Sequence, residues 1–338
     1  MKIEALKEAI NNLPITPRLL KTLRETARLK STHYSTKIEG NRLTQKEVEQ
    51  IINGKEHFAA RVHDENEIKG YYAALEWCEK SIGLPITETT IKTIHALVEG
   101  AGRVKVKPTP YRDGQNVIRD SKSHSIVYLP PEAKDVPALM KELVEWLKSA
   151  DTPAPITAAL AHYQFATIHP YFDGNGRTAR LLATLVLHKN GYDLKGIYSL
   201  EEYYARDLQA YYHAISRGDH HNYYFGRAEA DITPWIEYFV LGMLDSFEHV
   251  KQAAQSEGGK DKAALLRSLS PKQRKILTLF EDSNMITSRD VEKLFGFSAR
   301  SARLLCRQMV EDGFMVIVNS SDKARLYGLA SGYVEIVE

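Results

Sequence analysis

The sequence is poor in cysteine and lacks any long apolar run. Its two cysteines, Cys78 and Cys306, lie far apart in apolar surroundings, so we expect buried free thiols in a reducing compartment. No apolar run is long enough to span a bilayer, and no charged segment followed by an apolar one opens the chain. We therefore expect a cytoplasmic protein without membrane contact.

The chain also lacks a strong net charge, internal repeats and low-complexity tracts. Its formal net charge is +2 over 338 residues, which by itself indicates no class of partner and is compatible with local charge asymmetry. The hydrophobic content of 43% and the charged content of 26% are typical of a globular protein. A chain of this length is expected to form more than one domain.

Helical periodicity dominates what is present. Apolar spacing predicts helices over most of the chain, and short alternating runs near residues 117–118 and 125–129 predict one β-hairpin. The fold class is therefore predicted to be mainly α with a small hairpin. The predicted parts are an N-terminal helical region (1–100), a helical core with the hairpin (101–250), a polar linker (251–265) and a C-terminal domain (266–338).

The C-terminal domain has the order helix, helix, helix, hairpin, which resembles a winged helix-turn-helix domain. In its third helix Arg300, Arg303 and Arg307 share one face, and apolar residues occupy the opposite face. A basic outer face of this kind suits phosphate and base-edge contacts in the major groove of DNA. DNA is thus one predicted partner, and dimerisation or intramolecular docking is the alternative.

The most informative stretch runs from His169 to Arg180, HPYFDGNGRTAR, between two apolar helical runs. Gly174 and Gly176 permit a tight turn and the close approach of a ligand to the backbone. Because a helix follows directly, its free N–H groups face the loop. A helix N-terminus behind a glycine-rich turn binds anions. The stretch therefore predicts a phosphate site.

The side chains of this stretch add donors, an acid and a base. Asn175 supplies an amide, while Arg177 and Arg180 lie three residues apart and can clamp phosphate oxygens. Asp173 is an acid in a site otherwise suited to anions, which predicts a divalent cation, Mg²⁺, bridging carboxylate and phosphates. His169, with an ordinary pKa of about 6.5, can act as a general base.

Two other kinds of site fit this stretch poorly. A P-loop requires a lysine followed directly by Ser or Thr after its glycines, and no such pair follows here, where Arg177 stands before Thr178. His169 and Asp173 are four residues apart, as in a helical transition-metal pair, but Pro170 and the glycines argue against a continuous helix. A third ligand is not evident in the sequence.

The stretch resembles the signature of Fic proteins, HPFx(D/E)GNGRxxR, and departs from it at Tyr171, where the family usually has Phe. The resemblance covers the middle half of the chain and implies a Fic-type helical bundle in 101–250. It also implies a protein adenylyltransferase, which transfers AMP from ATP to a Ser, Thr or Tyr hydroxyl of a target protein and releases pyrophosphate. ATP as substrate and Mg²⁺ as cofactor follow from the same resemblance.

The resemblance also implies roles for individual residues. The hairpin resembles the flap that aligns the target protein by strand addition. The resemblance implies that His169 is the base, Asp173 is a Mg²⁺ ligand, Arg177 contacts a phosphate and Arg180 contacts the γ-phosphate. It implies that Gly174, Asn175 and Gly176 form an anion nest, a turn whose amides surround the phosphates. The residues implied to dock the target are Ile126, Val127, Tyr128 and Leu129.

Ser35 and Glu39 lie one helical turn apart, and on their own they predict a solvated helix face and a cap. Beside a Fic signature, residues 35–40 resemble the inhibitory pattern (S/T)xxxE(G/N). This resemblance implies that Glu39 pairs with Arg180 and removes the γ-phosphate contact, so that ATP binds in a non-productive pose.

Several functional alternatives stay open from the sequence. A Fic enzyme that removes AMP, with Glu39 positioning water, is a close variant. A DNA-binding transcriptional regulator whose Fic core is a sensor is a different class. The target protein, self-modification, the phosphate-containing donor and a homodimer are also undecided by the sequence.

Overall fold

The computed structural model describes residues 2–119, 125–218, 221–225, 230–257, 265–266, 268–281, 283–319 and 325–337. The chain forms two compact units, Met1–Lys7 with Thr26–Glu248, and Glu8–Glu25 with His249–Glu338. Helices dominate the described residues of both units, which confirms the predicted mainly α class. The predicted domain boundaries stay predictions.

The N-terminal part of the chain is helical and is organised by capping residues. Thr44 and Glu47 form a capping box at the start of the third helix, and Thr87 caps the fifth. The helices are α1 (Lys2–Asn11), α2 (Pro17–Ile38), α3 (Gln45–Ile52), α4 (Val62–Lys80) and α5 (Glu88–Val98), with a 3₁₀ turn at Ala59–Arg61.

The central part holds the hairpin and the most deeply buried helices. The two hairpin strands are antiparallel, and a bulge interrupts their register. The elements are β1 (Ile118–Arg119), β2 (Ile126–Tyr128), α6 (Val136–Ser149), α7 (Ala154–Ile168), α8 (Asn175–Lys189), a 3₁₀ turn (Leu194–Gly196), α9 (Glu201–Arg206), α10 (Leu208–Ile215) and α11 (Thr233–Glu257).

Helix α8 lies at the centre of the first unit and packs against α4, α5 and α7. Leu181 and Leu185 of α8 join a buried cluster with Tyr71 and Ile94. Gly70 allows α4 and α5 to approach closely, because a Cβ at this position would lie 2.0 Å from the carbonyl oxygen of Val98. This packing fixes the N-terminal end of α8, where the site lies.

Two local features have simple causes. Helices α9 and α10 are separate because Asp207 (φ −137°, ψ 87°) interrupts the helical backbone and caps α10 through the amide of Ala210. Helix α11 continues through residues 251–257, where a linker was predicted, since Lys, Gln and Ala are good helix formers. The rest of the predicted linker lies largely outside the described residues.

The second unit contains the predicted order of three helices and a hairpin. Its core includes Ile276, Val291, Leu305 and Phe314. The assignment as a winged helix stays a prediction. The elements are α12 (Pro271–Leu277), a 3₁₀ turn (Thr278–Phe280), α13 (Ser288–Phe295), α14 (Ala299–Glu311), β3 (Met315–Asn319), β4 (Leu326–Leu329) and α15 (Ser331–Val337).

Both cysteines are buried and unpaired, as expected for free thiols. Across the part of the chain that the structure describes, no helix has the length and apolar character needed to cross a membrane.

Candidate active site

A short loop joins α7 to α8 and carries the signature residues. His169 ends α7 in the left-handed conformation (φ 51°, ψ 59°), and its amide donates to the carbonyl of Phe165 at 3.0 Å. Gly174 is also left-handed, at φ 70°. A left-handed non-glycine residue is strained, and such strain is typical of functional sites. The loop therefore holds the imidazole in a backbone conformation that the neighbouring contacts must maintain.

Tyr171 anchors the middle of this loop. Its ring is buried and stacks on His95 with the ring centroids 3.6 Å apart. The side chain of Asn175 accepts from the Tyr171 amide at 3.0 Å and donates to the Tyr171 carbonyl at 2.8 Å. The tyrosine that departs from the Fic signature is thus a buried anchor, and Asn175 braces the loop from inside.

The N-terminus of α8 lies at the end of the signature loop. The first intrahelical hydrogen bond runs from Thr178 N to the Gly174 carbonyl at 2.9 Å. The amides of residues 175–177 therefore precede the hydrogen-bonded ladder of the helix, and the positive end of the helix dipole lies there. The anion nest that the sequence predicts at residues 174–176 coincides with this helix end, and anion binding there stays a prediction.

His169 is arranged as a neutral base. Its Nδ1 lies 3.2 Å from the carbonyl oxygen of Ala166, which can only accept, so Nδ1 carries the proton and Nε2 keeps its lone pair. Burial lowers the pKa of His169 to about 4. At neutral pH the imidazole is thus uncharged and able to take a proton at Nε2.

Asp173 and Arg177 are tied together beside the nest. The Asp173 side chain is 70% exposed and lies 3.3 Å from Arg177 Nη2, and its Oδ1 accepts from the Gly174 amide at 2.6 Å. Arg177 is buried and also pairs with Glu67 at 3.1 Å and Glu99 at 3.3 Å. In this arrangement Arg177 is held by carboxylates, and its predicted phosphate contact stays a prediction.

Arg180 is bound by the two residues of the upstream pattern. Its Nη2 lies 2.7 Å from Glu39 Oε1, and its Nε donates to Ser35 Oγ at 2.8 Å. Nη2 also donates to the Ser35 carbonyl at 2.8 Å. Burial lowers and the Glu39 carboxylate raises the pKa of Arg180, with a net increase. The pairing of Glu39 with Arg180 that the resemblance implies is thus present in the structure.

Glu39 also reaches the predicted nest. A Cβ atom built on Gly176 would lie 2.1 Å from Glu39 Oε1 and 3.2 Å from Arg180 Nη1. The carboxylate therefore lies against this glycine, at the N-terminal end of α8, which is the kind of position that favours negative charge.

Helix α2, which carries Ser35, is held by polar contacts to the rest of the first unit. Arg28 pairs with Glu79 at 2.5 Å, and Lys30 pairs with Glu202 at 3.0 Å. Ser31 donates to the buried carboxylate of Glu201 at 2.9 Å. These contacts are remote from the nest, and they set where the end of α2 places Glu39.

The hairpin lies beside the loop, and its outer edge is partly occupied. Ile126 and Val127 are exposed, and the Tyr128 hydroxyl donates to the Thr167 carbonyl of α7 at 2.8 Å. The Leu129 amide donates to the His221 carbonyl at 2.8 Å, and the Tyr223 amide donates to the Leu129 carbonyl at 3.0 Å. The edge predicted to dock a target strand is therefore taken at Leu129 by residues 221–223.

The predicted DNA-contacting arginines lie in the second unit. Arg300, Arg303 and Arg307 are all exposed on α14, and Leu305 on its other face is buried in the core of that unit. The arrangement of the helix is as predicted, and the contact with DNA stays a prediction.

Sequence reasoning missed several residues that shape the site. Arg112 lies outside the signature, yet its guanidinium donates to the His169 carbonyl at 3.0 Å. Glu67 and Glu99 lie far from the signature in the chain and gave no signal, although they hold Arg177. Among the described residues, no cluster of three or more His, Cys, Asp or Glu side chains is arranged to bind a metal.

Comparison with known families gives a match at the same residues. Residues 85–187 match the Fic/DOC family. The protein adenylyltransferase Fic of Drosophila erecta is 28% identical over 242 residues, which cover 70% of this chain and 45% of the relative. The chain therefore spans less than half the length of this curated relative.

Two solved structures share the fold. A Fic family protein from Desulfovibrio desulfuricans G20 has a TM-score of 0.59 at 23% identity, and the match covers 98% of this chain and 96% of that one. A Fic domain-containing signaling protein from Bacteroides thetaiotaomicron has a TM-score of 0.65 at 24% identity, covering 76% and 98%. These likenesses show that the chain shares the fold of those proteins, and the family match identifies residues 85–187 as a Fic/DOC domain.

Proposed function

We propose that this protein is a protein adenylyltransferase held in an inhibited state by Glu39. The observation that carries the proposal is the ion pair of 2.7 Å between Glu39 and Arg180 at the N-terminal end of α8. The neutral imidazole of His169 lies in the loop before this helix. The name of the Drosophila relative, protein adenylyltransferase Fic, supports the same reaction.

The reaction transfers the AMP group of ATP to a hydroxyl of a target protein. His169 Nε2 takes the hydroxyl proton while the oxygen attacks the α-phosphorus. The bond from that phosphorus to the bridging oxygen breaks, and pyrophosphate leaves. The amides at the start of α8 and the Arg180 guanidinium stabilise the negative charge on the phosphates.

The exposed Asp173 carboxylate beside the nest fits a magnesium ion, which takes one or two carboxylates together with substrate phosphates. Mg²⁺ bound there would neutralise charge on the phosphates. Asp173 is held for this role by the Gly174 amide at 2.6 Å, which fixes one carboxylate oxygen and leaves the other available.

Inhibition follows because Glu39 and the γ-phosphate of ATP would compete for Arg180 and for the space beside Gly176. Glu39 neutralises Arg180 and its carboxylate lies against Gly176. A γ-phosphate cannot contact Arg180 in the same way while this pair persists. ATP can then enter only in another pose, in which the α-phosphorus is not aligned with the attacking hydroxyl.

The test of the reaction class uses ATP labelled at different phosphates. The Glu39→Gly variant, incubated with Mg²⁺ and cell extract, is expected to transfer label from the α-phosphate and none from the γ-phosphate. Transfer of the γ-label would show a kinase and contradict the proposal. Release of AMP from a pre-modified target, without forward transfer, would favour the AMP-removing variant instead. Self-labelling would identify the chain as its own target.

A second candidate function is DNA binding by the C-terminal unit, favoured by the three exposed arginines of α14. We expect gel shifts with duplex fragments that weaken steeply as salt rises, because arginine–phosphate contacts release counterions. Arg303→Gln should reduce the salt slope by about 1, and Arg289→Gln on α13 serves as the matched control. If no fragment shifts even at low salt, α14 has another role.

A further inference from the structure

Arg112 carries a buried guanidinium that binds only carbonyl oxygens among the described residues. It is 4% exposed. Its Nε donates to the His169 carbonyl at 3.0 Å, its Nη1 donates to the Gly114 carbonyl at 2.9 Å, and its Nη2 donates to the Pro131 carbonyl. Its own amide donates to the Pro170 carbonyl at 2.9 Å. A buried cation without a carboxylate partner is costly, so this arrangement calls for a specific role.

The three carbonyls belong to parts of the site that must act together. His169 carries the base and has the strained left-handed backbone. Gly114 precedes the first strand of the hairpin, and Pro131 follows the second strand. One side chain therefore joins the base to both arms of the hairpin.

We propose that Arg112 is a positioning residue that fixes the hairpin relative to the His169 imidazole, so that a docked hydroxyl meets Nε2. The inference rests on the proposed adenylyltransferase function. The hairpin would hold the target strand and His169 would take the proton, so the separation between the two sets the rate of transfer. Arg112 fixes this separation by holding both partners through their backbones.

The geometry requires arginine in particular. A guanidinium presents donors in several fixed directions in one plane, whereas a lysine ammonium is a single point on a flexible stem. Arg112→Lys keeps the charge and much of the volume but cannot hold three separated carbonyls at once. Arg112 contacts the loop at His169 and Pro170, not in the anion nest of residues 174–176, so nucleotide binding should be spared.

The kinetic test uses the Glu39→Gly background at saturating ATP. Arg112→Lys is expected to lower the maximal transfer rate by about 10–100-fold, the effect of a misplacement of roughly 1 Å. ATP affinity, measured by calorimetry, should stay within about a factor of 3, since the nest is untouched. Arg103→Lys, an exposed arginine of the segment before the hairpin, is the matched control and should change neither. A transfer rate equal to that of the background, or an equal fall in rate and ATP affinity, would overturn the proposal.

A second measurement does not depend on catalysis. Nuclear magnetic resonance of histidine-labelled protein, with His169 assigned by its alanine variant, follows the ring directly. In the chain with Glu39 intact, Arg112→Gln is expected to shift the His169 ring signals and raise its pKa. The reason is that a cation is lost while Glu39 and Asp173, the other charged groups facing the ring, remain. Unchanged signals would exclude the positioning role even if no target is ever found.

Tyr128→Phe provides a third variant in case the arginine variants unfold. It removes a hydrogen bond of 2.8 Å that ties the hairpin to the end of α7 at Thr167. The expected pattern is the same, with a smaller fall in maximal rate and no change in ATP affinity. The intact chain and the Glu39→Gly variant could both fail to transfer AMP while Arg112→Gln still shifts the His169 ring signals. In that case the proposed function is wrong and the contact of Arg112 with His169 stands.

Discussion

The Glu39→Gly variant is expected to transfer AMP about 10²-fold faster than the intact protein. The 2.7 Å pair with Arg180 must break before a γ-phosphate can take its place. The Arg180 side chain is 1% exposed and the Glu39 side chain is 30% exposed, so water reaches one side of the pair. A factor of about 10² corresponds to about 2.8 kcal/mol, just below the range of about 3–5 kcal/mol for the removal of one partner from a fully buried pair.

The measurement is the initial rate of label transfer from α-labelled ATP at several ATP concentrations. Glu56→Gly, which changes an exposed glutamate in the loop after α3, is the control for the substitution itself. Both the apparent affinity for productive ATP and the maximal rate should rise in the Glu39 variant alone. Equal rates in all three proteins would mean that the pair is structural and that inhibition has another source.

His169→Ala is expected to lower transfer by about 10³-fold, within the range found when a general base is removed. The loss should appear in the Glu39→Gly background, where activity is high enough to measure. Calorimetry should show ATP binding unchanged, because the nest is formed by backbone amides of α8. His213→Ala, an exposed histidine on α10, is the matched control. Retained activity in His169→Ala would show that another group takes the proton.

The pH profile gives an independent check on the same residue. Burial lowers the pKa of His169 to about 4, while Glu39 and Asp173 raise it and Arg112 lowers it. Nε2 can accept a proton only when the ring is neutral, so transfer should be level from pH 7 towards pH 5. It should fall as pH drops through about 4. In the Glu39→Gly background one carboxylate that raises the pKa of His169 is gone, so the pH at which transfer falls by half should be lower. A midpoint near the ordinary value of about 6.5 would contradict the buried neutral base.

The sequence predicted the backbone of the signature loop well because it is local. The turn at Gly174 and the helix start that follows depend on neighbours within a few residues, whereas Tyr171 is buried against His95 of α5. Glycine and capping preferences act at that range. The partnership of Glu39 with Arg180 spans 141 residues, and only the resemblance to a known pattern made it predictable.

The rest of the site depends on contacts that leave no local pattern. Arg112 reaches His169 across 57 residues, and Glu67 and Glu99 reach Arg177 from other helices. The segment 221–223 pairs with Leu129 through backbone hydrogen bonds, which any residue type except proline can make, so the sequence carries little signal of the pairing. Tertiary packing decides such contacts, and a single sequence records only their residue types.

The contact of Glu39 with Gly176 has a consequence for regulation. In the proposed function, Glu39 is a tethered competitor of ATP, so its strength is an effective concentration set by how firmly α2 is held. The ion pairs of Arg28 with Glu79 and of Lys30 with Glu202 contribute to that hold. Weakening these pairs would then lower the effective concentration of Glu39 and raise activity at a given ATP concentration, with His169 and Arg180 unchanged.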